Sequence, residues 1–251
     1  MKNKMMILLS SGIGLFVLAA GLGFWFYLSE PEAIPANEQL TDEINSLFPE
    51  ATASVIQDKI LIDDRHLYVP FISEKGDYGK SFWVWEHHKW KVVNIETKGR
   101  PLLWKVNRND PATYHIVWNM APVDKVGHIK YYLIRDRGYW VSDGVETYNP
   151  KVQMQKEVSL AENSYGVLQM PYEWVAFMND FFKVETAKQP SMIFPSFFPE
   201  QHMYFGWNPY NFSGEETYPE NSVNGNGYSV GSEEIDYVMI MDEDEVENPD
   251  M

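Results

Sequence analysis

From Met5 to Leu28 the chain carries no charged side chain. At about 1.5 Å of rise per residue a helix of that length reaches some 36 Å, enough to cross a hydrocarbon core of about 30 Å with tilt. Such a segment predicts a transmembrane anchor and leaves the rest of the chain to fold on one side of a membrane. Lys2 and Lys4 precede it and Glu30 and Glu32 follow it, which predicts a cytoplasmic N-terminus and an extracytoplasmic remainder. Phe24, Trp25, Phe26 and Tyr27 crowd its outer end, where amphipathic rings favour the headgroup level. A cleaved signal requires a shorter apolar core and a small-x-small site. The best site ends at Ala36 and has Ile34 two residues earlier, so an uncleaved single-pass anchor in the cell membrane is the expectation. Ser10 with Gly14, and Ala19 with Gly23, have the four-residue spacing that lets two such helices approach, which allows a homodimer.

The sequence therefore divides into a cytoplasmic stub and anchor at 1–28, a linker and juxtamembrane helix at 29–50, a β-rich domain at 51–212 and an acidic, partly flexible tail at 213–251. In the linker, Pro31 and Pro35 stiffen the chain. Leu40, Ile44, Leu47 and Phe48 recur at helical spacing after a cap at Thr41, and Pro49 stops the helix. From there to Leu160, runs rich in Val, Ile, Tyr and Trp alternate with turn residues. The predicted strands are 59–62, 66–72, 81–86, 89–96, 102–107, 113–119, 128–135 and 152–158. Around the turn His87-His88, the segments Phe82–Glu86 and Trp90–Ile95 carry apolar groups on both faces, as a sheet layer covered on one side by a helix would. Pro171 opens a second helix, with Trp174, Phe177, Met178 and Phe181 on one stripe. These elements predict an α+β domain, a mostly antiparallel meander or half-barrel with one or two packed helices.

Residues 191–212 are dense in aromatics and Pro, and the prolines argue against a regular element there. Phe197, Phe198, Tyr204, Trp207 and Tyr210 in this stretch are the candidate ligand- or partner-binding residues, because exposed aromatic patches mark interfaces; packing against the core is the competing expectation. No Lys or Arg follows Ser213, while Glu215, Glu233, Glu234, Asp236 and the run Asp242 to Glu245 accumulate there. The segment 221–227 reads as a flexible loop and Ile235 to Met241 as one last strand.

Chemistry is sparsely signalled. The chain has no Cys, which removes disulfides, thiolate metal sites, Cys nucleophiles and an acylated lipoprotein Cys. Gly227-Tyr228-Ser229-Val230-Gly231 has the G-x-S-x-G spacing of a nucleophile elbow, but Asn224-Gly225-Asn226 precedes it and the last His is His202. An elbow needs a strand before the Ser, a helix after it and a later His. No pair of the six His has the i, i+4 spacing of a helical zinc site, and no cofactor or metal site is expected. The net charge of −16 disfavours nucleic acid and anionic wall polymers as partners. The functional expectation is a membrane-tethered, extracytoplasmic module of a bacterial envelope that binds a protein or small ligand. The alternative is an envelope hydrolase using two carboxylates on sugar or peptide.

Overall fold

The computed structural model describes Gly21 and residues 30–142, 144–188 and 203–247. The anchor expected at 5–28 lies outside them apart from Gly21, and no helix among the described residues is long and apolar enough to cross a membrane. What is described is a β-rich domain with two α-helices, α1 (Asn37–Leu47) and α2 (Tyr172–Lys188).

The first sheet holds β1 (Ala53–Ile56), β2 (Ile60–Asp63), β3 (His66–Ser73), β4 (Tyr78–Glu86) and β5 (Lys89–Glu96). β4 pairs with one edge of β3, while β1 and β2 share its other edge end to end. Pro70 is tolerated in β3 because it falls between the stretches that β1 and β2 cover, where its carbonyl accepts from Gln57 N–H at 3.0 Å. Strand alternation then sets two apolar faces. Trp83, Trp85, Val92 and Ile95 meet Leu40 and Ile44 of α1. Phe82 and Val84 meet Tyr68, Trp104 and Val117 on the other face. Helix α1 starts four residues before the expected cap: Gln39 Oε1 accepts from Ala36 N–H at 3.1 Å, and Thr41 lies inside the helix, donating its hydroxyl to Asn37 O at 2.9 Å.

The second sheet is built on β6 (Leu102–Lys105) and β7 (Tyr114–Asn119), with β12 (Tyr165–Gln169) on the far side of β7. Trp104 and Val117 face the first sheet, whereas Leu103, Ile116 and Trp118 face the third. Asn119 ties the layers together, donating to Phe71 O at 3.2 Å and Gly79 O at 2.6 Å. Gly99 is obligatory at this joint, because a Cβ there would run into the Asn119 carbonyl.

The third sheet centres on β8 (Val126–Arg135), flanked by β11 (Val152–Ser159) and β13 (Met203–Asn211). Ile129, Tyr131, Leu133, Met203 and Trp207 point at the second sheet, and Trp174, Met178 and Phe181 of α2 close the same core. Two further strands, β9 (Gly138–Ser142) and β10 (Val145–Asn149), form a separate hairpin. The layers are thus distinct facing sheets and not one curled half-barrel.

Two expectations need correction. Residues 203–211 are a regular strand despite their proline: the Pro209 carbonyl accepts from Thr217 N–H at 3.0 Å on the side away from β8, so its missing N–H costs the β8 ladder nothing. The segment from Ser213, read as an acidic tail with one last strand at Ile235 to Met241, supplies a strand to each of the three larger sheets: β14 (Gly227–Ser229) on β5, β15 (Glu234–Tyr237) on β6 and β16 (Met239–Ile240), parallel, on β13. The loop 221–227 is pinned by the Ser222 hydroxyl, which donates to Asp124 Oδ2 at 2.6 Å and accepts from Ala121 N–H at 2.8 Å. Met241 is buried and Val246 half-buried on the outer face of the third sheet, over Tyr132 and Ile134.

Candidate functional site

β15 brings the acids of 233–237 onto β6, and alternation sorts them. Glu234 and Asp236 lie opposite Lys105 and Leu103. Lys105 is almost wholly buried, so its ammonium needs close counter-charges; its Nζ stands 2.9 Å from Glu234 Oε1 and 2.8 Å from Asp236 Oδ2. Arg108 Nε joins the second Glu234 oxygen at 3.1 Å. Asp236 is about half exposed, 49%, which leaves this end of the ion cluster at the surface.

Glu233, pointing the other way, accepts from Trp104 Nε1 at 2.8 Å and lies 3.9 Å from His66 Nε2. His66 Nδ1 is 2.7 Å from Asp63 Oδ1, which also accepts from the Arg65 and His66 amides. Burial pushes the Asp63 carboxyl up, but these bonds outweigh it and hold the group below the ordinary carboxylate value. Nearby, burial pushes the His115 imidazole down, against the opposing effect of its bond to Thr113 O. This cluster fixes the β2–β3 turn against the second sheet. No group of three or more His, Asp or Glu among the described residues is arranged to hold a metal ion.

On the Lys105 side an open cleft of about 200 Å³ lies between the second and third sheets. Its floor is apolar: Leu103, Met178 and Phe182 of α2, and Met203 and Phe205 of β13. Its remaining lining is polar or mixed: the buried Lys105, and Asp236, Tyr204, Tyr237 and Met239, of which Tyr237 and Met239 are exposed. Arg100 stacks 3.7 Å above the Tyr237 ring, and burial raises the Tyr204 phenol, with Asp136 adding to it.

Of the five aromatic candidates, Tyr204 borders this cleft, with its ring packed on the outer face of the third sheet beside Tyr132, Ile134 and Met241. Trp207 and Tyr210 do not reach a surface, being 1% and 3% exposed. The β8 pairing turns Trp207 inward to the second sheet, and Tyr210 stacks flat on His128, ring centroids 4.9 Å apart, with Lys130 over it. Phe197 and Phe198 lie outside the described residues. Ser229 ends a short edge strand with a turn and β15 after it, and no helix of the kind an elbow requires follows it. Sequence reasoning missed Lys105, Asp236 and Tyr237, because the partners sit about 130 positions apart and no local pattern joins them.

No family model, curated protein or solved structure matches the chain.

Proposed function

We propose that the protein is a membrane-tethered, extracytoplasmic binding module that accepts an apolar group in the cleft between α2, β13 and the β15–β16 segment. The observation that carries this reading is the pairing of an apolar floor, Met178, Phe182, Met203 and Phe205, with a polar lining whose charges are already neutralised by one another. Such a site rewards burial of hydrocarbon or aromatic surface at about 25 cal/mol per Å² and needs no charged ligand. Carboxylate hydrolysis is disfavoured as an alternative, because a retaining or inverting pair needs two carboxyls facing a substrate. Here Glu234 and Asp236 both face Lys105. The N-terminal run Met5 to Leu28 supports single-pass tethering with the domain outside the cytoplasm.

The test uses the twelve methionines as reporters. In the full chain with ¹³C-methyl Met, indole should shift the Met178, Met203 and Met239 methyl resonances along one saturable curve and leave Met120, buried at the far end of β7, unmoved. Met239→Arg, at a half-exposed rim position, should abolish the shifts. Absence of any saturable shift contradicts the reading, as does a shift that appears only after residues 189–202 are removed.

A further inference from the structure

The tether and the cleft occupy the same end of the strands. The linker read as a spacer is fixed to the domain: Glu32 O accepts from Trp90 Nε1 at 3.3 Å, Pro35 O accepts from Lys59 Nζ at 3.1 Å, and Ile34 packs on the α1 core. Trp90 pairs with Trp85 next to the β4–β5 turn, their ring centroids 5.8 Å apart. Only three residues lie between Leu28, where the uncharged run ends, and Glu32, a reach of at most about 14 Å.

The polarity of the second sheet follows from two contacts. His66, opposite Val84 near that turn, sets its ring 5.4 Å from Trp104, and the next residue, Lys105, lines the cleft. At the other end of the strand pair, Asn119 bonds to Phe71 and Gly79, beside the Gly76 turn of β3–β4. The cleft rim is therefore at the tethered end, and the Gly76 turn is one strand length away, about 30 Å for a strand such as β4.

We propose that the cleft is presented to the surface of the membrane holding the anchor, and that its ligand is the apolar tail of a membrane amphiphile. This inference rests on the tethered-module reading above and adds both an orientation and a ligand class. Charge does not drive the contact: Asp63, Asp64 and Glu86 offset Arg65, Lys89 and Lys91 at that end. The short pinned tether supplies the proximity, so entry of a tail into the cleft exchanges one apolar environment for another while the headgroup meets the half-exposed Asp236 at its edge.

Because the chain has no Cys, Lys89→Cys and Lys75→Cys each offer a single labelling site, one beside the β4–β5 turn and one beside the Gly76 turn. With the full chain in phosphatidylcholine nanodiscs, a headgroup nitroxide should quench a fluorophore on Lys89→Cys several-fold more than one on Lys75→Cys. A nitroxide near the end of an acyl chain should broaden the Met178 and Met203 methyls, and Met239→Arg should remove that broadening without changing the quenching. Equal quenching at the two positions overturns the orientation. Quenching at Lys89→Cys without methyl broadening overturns the ligand class, even if indole still binds. Release of the protein by carbonate washing overturns the tether itself, and this inference with it.

Discussion

Lys80 shows how single residues are held in place in this fold. It is fully buried on β4, donating to Lys98 O at 2.9 Å and Arg100 O at 2.6 Å, opposite the buried Glu96. Burial lowers its pKa to about 7, with the Glu96 charge opposing that shift, and burial raises the Glu96 carboxyl. Because the unfolded lysine titrates near 10.5, the unfolded chain binds more protons than the folded one between about pH 7 and that value, so the Lys80 contribution to stability rises with pH across this window. Below about pH 7 both states hold the proton and the penalty of burying the charge is complete. Lys80→Met strands two carbonyls and leaves Arg100 as the cation acting on Glu96, and should cost about 2 to 6 kcal/mol in urea unfolding at neutral pH, at about 1 to 3 kcal/mol per stranded acceptor. Adding Glu96→Gln should restore part of that, and either variant should flatten the rise measured between about pH 7 and about pH 9. A Lys80→Met cost below about 1 kcal/mol would show that the pair is dispensable. Trp207 belongs to the same scale. With 1% exposure and a place in the main core, Trp207→Ala should cost about 3 to 5 kcal/mol, read as a lowered melting temperature; an unmoved melting temperature would return this ring to the surface.

The elements that were legible in the sequence owe their legibility to local chemistry. The predicted strand 89–96 and its turn partner are found as β5 and β4, because a two-residue turn fixes the register of alternating apolar residues on both sides. His87 and His88 adopt φ of 52° and 61°, the left-handed pair that such a turn demands. The stripe of Trp174, Met178 and Phe181 on α2 is found buried for the same reason, a 3.6-residue period visible within one element. β13 was hidden by Pro209 and the proline-rich stretch before it, and β14 by its shortness; β15 and β16 fall where one last strand was read, but their partners lie far away. β15 needs Lys105 and Trp104, about 130 positions upstream, to explain its Glu234 and Glu233. The C-terminal end behaves similarly. Glu247 exchanges two hydrogen bonds with Gln153, at 2.8 and 3.0 Å, and pairs with Arg137 and Lys151, while Val246 covers Ile134. Truncation after Met241 should therefore cost about 2 kcal/mol, from two hydrogen bonds at about 0.5 to 1.5 kcal/mol each and a partly buried Val. Calorimetry of the truncated chain checks this, and an unchanged melting temperature would make residues 242–251 a solvated end.

At the scale of the molecule, α1 and three facing sheets form successive layers joined by apolar clusters, and the C-terminal strands stitch the layers together. The acids that dominate the end of the sequence are partly spent inside this assembly as partners for Lys105, Arg108, Arg137 and Lys151. The linker is held against the domain, through Pro35 on Lys59 and Glu32 on Trp90. The proposed tethered, extracytoplasmic placement is checked by a reporter active only outside the cytoplasm, fused after Met251. The fusion should be active, and changing Lys2 and Lys4 to Glu should weaken that activity, because in the proposed orientation the basic residues before the uncharged run favour a cytoplasmic N-terminus. An inactive fusion in the unaltered chain, or activity of a second reporter that works only in the cytoplasm and is fused at the same place, would overturn this placement.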